Sequence, residues 1–222
     1  MSSDAKKYLQ ALGAELAAAL GPDYRFYKSA LELRAPTGTG DNVITLGGAM
    51  RGAPFIAIAF HFGCSFTAAR AVAKQLGLQA VGPHISQYSL NRASMKGLPA
   101  SGPGRVSWDV HTGKTPDATL VPEMVTAIRG MALPFFERFA DMAAARNAVA
   151  ANDAWCLGGT AQWRNVLVLD AALGELDHFE AWAARLDRLN AQEASDLLRR
   201  AEAERSTRNP VASRMDPPVR SP

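Results

Sequence analysis

Apolar positions between Pro122 and Met142 recur every three or four residues: Met124, Val125, Ile128, Ala132, Phe135, Phe139 and Met142 fall on one side of a helix. That stripe is aromatic and wide enough to cover a sheet. Pro134 sits inside it, lacks an N–H and crowds the carbonyl of Gly130, so the pattern predicts a bend there or two helices meeting end to end. Upstream the period drops to two. Arg25 to Ala35 reads as one strand, with Tyr27, Leu31 and Leu33 on one side and Lys28, Glu32 and Arg34 on the other. A turn cluster, Pro36 to Asn42, leads into an extended run from Val43 to Met50. After Arg51-Gly52, Phe55 to Phe62 puts Ile56, Ile58, Phe60 and Phe62 on one face and Phe55, Ala57, Ala59 and His61 on the other. Large residues on one side and small ones on the other predict a central strand with something packed closely over the alanines. Arg105 to Val110 alternates too, with Val106, Trp108 and Val110 inward, and adds a further strand. Short turns between the first three strands make an antiparallel meander.

Helical signals flank this core. Residues 4–20 align Tyr8, Leu9, Leu12, Leu16 and Leu20, and Gly21-Pro22 stops the helix. Ser65 or Thr67 caps a short helix through Gln75, ended by Gly77. Ile85 to Leu90 reads as extended, and Arg92 to Gly104, with three glycines and two prolines, as a long loop. Ala143 to Ala151 continues the central helix or forms a satellite. Asp153 to Leu189 reads as a helical hairpin: Gln162 to Leu173, a turn at Gly174-Glu175, then Asp177 to Leu189 with Asp177 as N-cap. Ala191 to Arg205 is a polar final helix, and Ser206 to Pro222 has too little to bury to order by itself. The expected class is α+β: an antiparallel sheet of about four strands packed by helices, followed by a C-terminal helical hairpin. Residues 1–120 supply the sheet portion and 121–204 the helical portion, the two forming one domain, with 205–222 a disordered tail.

Composition narrows the class. At 222 residues, 48% apolar and 20% charged, the chain can bury a core like an ordinary globular protein. No apolar run approaches the roughly 18 residues of a membrane span. The Ala/Leu-rich run after Lys6-Lys7 is broken by Gln10 and Glu15, which reads as an amphipathic helix rather than a signal peptide. Two cysteines, Cys64 and Cys156, make no disulfide framework, and a cytoplasmic location follows as the expectation. Arginine outnumbers lysine 18 to 6, a bacterial bias. Net charge is +3, but residues 1–120 hold 12 Lys/Arg against 7 Asp/Glu, residues 121–204 hold 8 against 13, and the tail 4 against 1. The two halves therefore attract each other.

Gly113-Lys114-Thr115 resembles the end of a phosphate-binding loop, but that motif needs glycine at position 108, where the chain has Trp108. Gly38-x-Gly40 leads into a strand, not the helix N-terminus that phosphate capture uses. The best catalytic candidates are His61, Cys64, Asp109 and His111. Asp109 and His111 lie two apart on a strand and share a face. A neighbouring strand bearing His61 would complete an acid–base or metal-binding set, and Cys64 beside His61 would be a nucleophile. No metal-ligand spacing accompanies them, so no metal and no cofactor is expected. Arg92, Lys96 and Arg105 around the loop are candidates for contacting an anion or an acidic partner. Their density, without interleaved aromatics, argues against nucleic acid.

The run Ala-Leu-Gly-Glu-Leu-Asp-His-Phe-Glu-Ala-Trp182 is similar to the turn of a tetratricopeptide helix pair, but it occurs once, and a solenoid needs about three copies. Helix–meander–helix order, with Ala132-Leu-Pro-Phe-Phe-Glu-Arg-Phe139 after the sheet, resembles bacterial families of unknown function. Some domains of that kind resemble immunity and accessory proteins encoded beside toxins, which implies binding and transfers no catalytic residue. With no intact catalytic motif, the leading reading is a non-catalytic protein that binds an unidentified protein partner, with no membrane contact and homo-oligomers left open. The alternative is a small enzyme or ligand-binding protein using a pocket near His61, Asp109 and His111.

Overall fold

A computed structural model describes residues 3–50, 54–78, 86–89, 108–114, 118–151 and 162–208, and in these the two periodicities separate into one sheet and seven helices. The strands are β1 (Arg25–Tyr27), β2 (Glu32–Pro36), β3 (Gly40–Met50), β4 (Phe55–Phe66), β5 (Ser86–Ser89) and β6 (Trp108–His111). All pairings are antiparallel, in the order β1-β2-β3-β4-β5, with β6 also on β4. β5 pairs residues 61–64 of β4 and β6 pairs residues 55–58, so six strands occupy five rows. The α+β class is as expected, with more strands than the four anticipated.

Arg25 to Ala35 is not one strand. It turns back on itself through residues 28–31, where Leu31 adopts φ 56° and the Ala30 N–H donates to the Tyr27 carbonyl at 3.2 Å. The Leu31 carbonyl then accepts from the Leu46 N–H at 2.8 Å, fixing the turn against β3. The fold back places Tyr27 opposite Glu32 and Phe26 opposite Leu33, so Tyr27 and Leu33 end on different faces. Of the strand expected from Arg105, residues 105–107 lie outside the described residues; Trp108 and Val110 point inward as the alternation requires.

The inner face carries Leu33, Ile44, Leu46, Ile56, Ile58, Phe60, Phe62 and Cys64, all buried in one apolar cluster. Helix α1 (Ser3–Leu20) covers part of it with Ala5, Leu9, Leu12 and Leu16. Gly13 leaves room for the Phe26 ring of β1: a Cβ there would lie 2.3 Å from it, so a larger residue would force the ring to shift. α2 (Thr67–Gln75) follows β4 directly, starting after Phe66 without the expected Ser or Thr side-chain cap.

The aromatic roof is α3 (Leu120–Arg138), with Met124, Ile128, Ala132 and Phe135 fully buried and Val125 and Phe136 nearly so. Phe135 and Phe136 contact Phe62 of β4 at ring distances of 6.3 and 6.4 Å, and Phe139 packs edge-on to Phe135 at 4.8 Å. The helix runs through Pro134 and ends after Arg138, so the interruption falls several residues later than the proline. Leu133 and Pro134 are on the exposed side. An interior proline costs about 3 kcal/mol. Three buried phenylalanines return roughly 1.5–3 kcal/mol each, so packing outweighs the break. Asp141 then starts a separate helix, α4 (Met142–Ala150), by accepting from the Ala144 N–H at 3.0 Å.

α5 (Gln162–Leu173) is buried around its circumference: Trp163, Val166, Leu167, Val168 and Leu169 are all buried, as is Asp170. Gly174, at φ 79°, closes it, and α6 (Leu176–Ala183) starts after Glu175 rather than at Asp177. α6 is also shorter than expected. α7 (Arg188–Arg208) begins at Asp187, whose carboxylate accepts from the Leu189 and Asn190 N–H groups at 3.0 and 2.9 Å. Ser206 to Arg208, expected in the tail, belong to this helix; the rest of the tail lies outside the described residues. The buried cluster runs without a break from Ala5 of α1 to Ala201 of α7.

Candidate functional site

Direct register pairs put side chains on the same face of an antiparallel sheet. The outer face therefore carries a row across five strands: Tyr27, Glu32, Thr45, His61 and the position of Ser89. Towards the other end of β4 it carries Gly47, Ala59, Ala49, Ala57, Phe55, Asp109 and His111. Glu32, Val43 and Ala57 are buried on this face, whereas Thr45, Ala59, His61 and His111 are half-buried and Asp109 is exposed. Two aromatic side chains stand out of it: Phe55 is 48% and Tyr27 44% exposed. Each is braced by a neighbour. The His111 ring meets Phe55 edge-on at 5.1 Å, and the Arg34 guanidinium lies 4.8 Å over the Tyr27 ring while pairing with Glu32 at 2.6 Å. His111 is itself fixed, accepting from the Gly113 N–H through Nδ1 at 3.1 Å.

The four catalytic candidates separate into three places. His61 lies over β3, where a Cβ on Gly47 would come within 3.2 Å of its Nε2, and burial pushes its pKa below the usual value. Asp109 pairs with Ala57, four positions along β4 from His61, or about 13 Å at the strand rise of ~3.3 Å per residue. Asp109 and His111 share the outer face with His61, as the alternation predicts, without reaching it. Cys64, three positions from His61, points to the opposite face, into the core. Burial pushes its thiol up to about 12, and its Sγ donates to Asn42 Oδ1 at 3.8 Å. It behaves as a small apolar side chain. Arg92, Lys96 and Arg105 lie outside the described residues. Among the described residues no group of three or more His, Cys, Asp and Glu is placed to hold a metal ion.

A second polar cluster joins the helices. Asp170, fully buried on α5, accepts from Arg146 Nη1 of α4 through Oδ1 and shares a 2.7 Å hydrogen bond with His178 Nδ1 of α6 through Oδ2. Arg146 uses its other donors on Glu175 Oε2 at 2.8 Å and Asn147 Oδ1 at 2.8 Å. Burial alone would lower the Arg146 pKa, but the carboxylates of Glu175 and Asp170 outweigh it and hold it raised. Every guanidinium nitrogen and both Asp170 oxygens have partners, so the cluster fastens α4, α5 and α6 together; the Trp182 indole adds a 3.0 Å bond to the Ala150 carbonyl. The sequence carries a signal for it: Asp170 follows four consecutive buried apolar residues, a position where an acid needs a partner.

No protein-family model, curated protein or solved structure matches the chain. Among the described residues no helix is long and apolar enough to cross a membrane.

Proposed function

We propose that the chain is a cytoplasmic accessory protein of bacterial type that acts by binding another protein through the outer face of its sheet. The observation that carries this reading is the pair Phe55 and Tyr27, exposed on that face yet held by His111 and Arg34. An aromatic side chain already immobilised loses little freedom on association, which suits it to anchor an interface. Thr45, Ala59 and His61 between them add the mixture of small and polar surface that surrounds such anchors. The bacterial assignment rests on arginine exceeding lysine 18 to 6, and the cytoplasmic one on the absence of a disulfide framework and the unpaired, buried thiol of Cys64. An immunity-like role, with a toxin as partner, is one form of the same reading. The alternative, an enzyme or ligand pocket built on His61, Asp109 and His111, is weakened by the ~13 Å between His61 and the partner position of Asp109.

The test is affinity capture from the native cells with the wild-type chain, Phe55→Asp and Leu189→Asp. Leu189 is 88% exposed on α7, remote in sequence from the sheet, and serves as control. Losing an anchor worth about 2 kcal/mol weakens binding roughly 30-fold. The reading expects a protein retained by the wild type and by Leu189→Asp but lost with Phe55→Asp. Equal retention by all three, or a monomer that retains nothing, contradicts it.

A further inference from the structure

α2, the end of α5 and the last turns of α7 enclose a cleft of about 320 Å³, within the size range of small-molecule sites. Its apolar lining comes from Val72, Leu76, Leu173 and Ala201, and its polar lining from Gln75, Glu204 and Arg205. Two helices end here. At the end of α5 the Gly174 and Glu175 N–H groups return to the carbonyls of Ala171 and Asp170, which leaves the carbonyls of Ala172 and Leu173 without a donor among the described residues. These groups, with the negative ends of two helix dipoles and the Glu204 carboxylate, form an acceptor side. The opposite character comes from α7: Arg205 lines the cleft, and Arg200 reaches Gly77 beside it, its Nη2 3.7 Å from where a Cβ would lie. Neither arginine, nor Glu204, has an ion-pair partner among the described residues.

An anion alone would face the helix C-termini and Glu204, and a cation alone would face the Arg205 guanidinium, with Arg200 beside the cleft. A molecule carrying both charges on a short apolar body meets neither conflict. We propose that this cleft binds a small aliphatic zwitterion of the α-amino acid class. The ammonium donates to the Ala172 and Leu173 carbonyls and to Glu204. The carboxylate pairs with Arg205, and the side chain lies on Val72, Leu76, Leu173 and Ala201. This site is separate from the outer sheet face and stands whether or not that face binds a protein.

The test is a titration of the full chain, followed by amide NMR, with L-leucine, with isoamylamine, which lacks the carboxylate, and with 4-methylpentanoate, which lacks the ammonium. The proposal expects saturable shifts with leucine at residues 75–77, 171–174 and 201–205, with Kd on the order of 1 mM or tighter. Each single-charge analogue binds roughly tenfold or more weakly, because one charge-assisted contact is lost. Glu204 and Arg205 are exposed side chains, so substituting them leaves the fold intact. Arg205→Ala should reduce leucine binding to the level of the amine, and Glu204→Gln should bring it towards that of the carboxylate. No saturable shift with leucine, shifts confined to other regions, or either analogue binding as tightly as leucine overturns the proposal.

Discussion

Asp170 is the residue on which the most charge depends. Its side chain is fully buried, and removing it leaves the buried Arg146 guanidinium with only Glu175, which is half exposed, and Asn147. Breaking a buried pair from one side costs about 3–5 kcal/mol. Asp170→Ala is expected to lose that much in denaturant unfolding, and Arg146→Met with Asp170→Leu to lose much less than the two single changes combined. Cys64 gives a second expectation at this scale. Its thiol titrates at about 12 in the fold against 9.0 when exposed, so the folded state keeps a proton that the unfolded state gives up. The stabilisation is complete below pH 9.0 and is lost as pH rises towards about 12. Cys64→Ala should flatten that alkaline loss, and the native wild-type thiol should resist labelling until the chain unfolds. Single residues were partly legible: the alternation of 55–62 separates His61 from the face of large apolar residues, without showing which face is the inner one. The chain order could not show that Cys64 would face the other way from a partner only three positions off until the strand proved to continue to Phe66.

The elements show what periodicity reads well and what it misses. α3 was visible because its stripe is long and aromatic, and its burial is what carries the helix through Pro134. Phe135→Ala, which opens a cavity against Phe62 and Phe139, should cost about 3–5 kcal/mol. Asp141→Ala should cost about 1 kcal/mol, because the Ala144 N–H loses its acceptor and α4 frays. Both are read from the shift of the urea midpoint. The β1–β2 hairpin was hidden because its turn contains no glycine, proline or asparagine; a leucine takes the positive φ, held by the Leu46 N–H. The starts of α6 and α7 are hard to read from sequence for a related reason. Asp177 and Asp187 are both plausible caps, and only the hydrogen bonds to Leu189 and Asn190 distinguish Asp187.

For the molecule as a whole, the layers follow from sequence: an extended sheet, an aromatic helix over one face and further helices beyond it. The contact between β6 and α3 is additionally tied by the Trp108 indole, which donates to Glu123 at 3.1 Å. The candidate surface was less legible. It depends on the register of five strands, and register arises from pairings between residues far apart in the chain, which a local pattern does not encode. The sequence marks this face only as the alanine side of one strand, with something expected to pack over it, whereas Phe55 and Tyr27 stand exposed on it from β4 and β1.

Hydrogen exchange on the isolated chain and on its captured complex measures this directly. If the outer face is the contact surface, slowed exchange will be confined to β1, β2, β3, β4 and β6, including residues 25–27, 32–34, 55–61 and 108–111, and Phe55→Asp will abolish it. Slowing confined to α5, α6 and α7, with the strands unchanged, would contradict it.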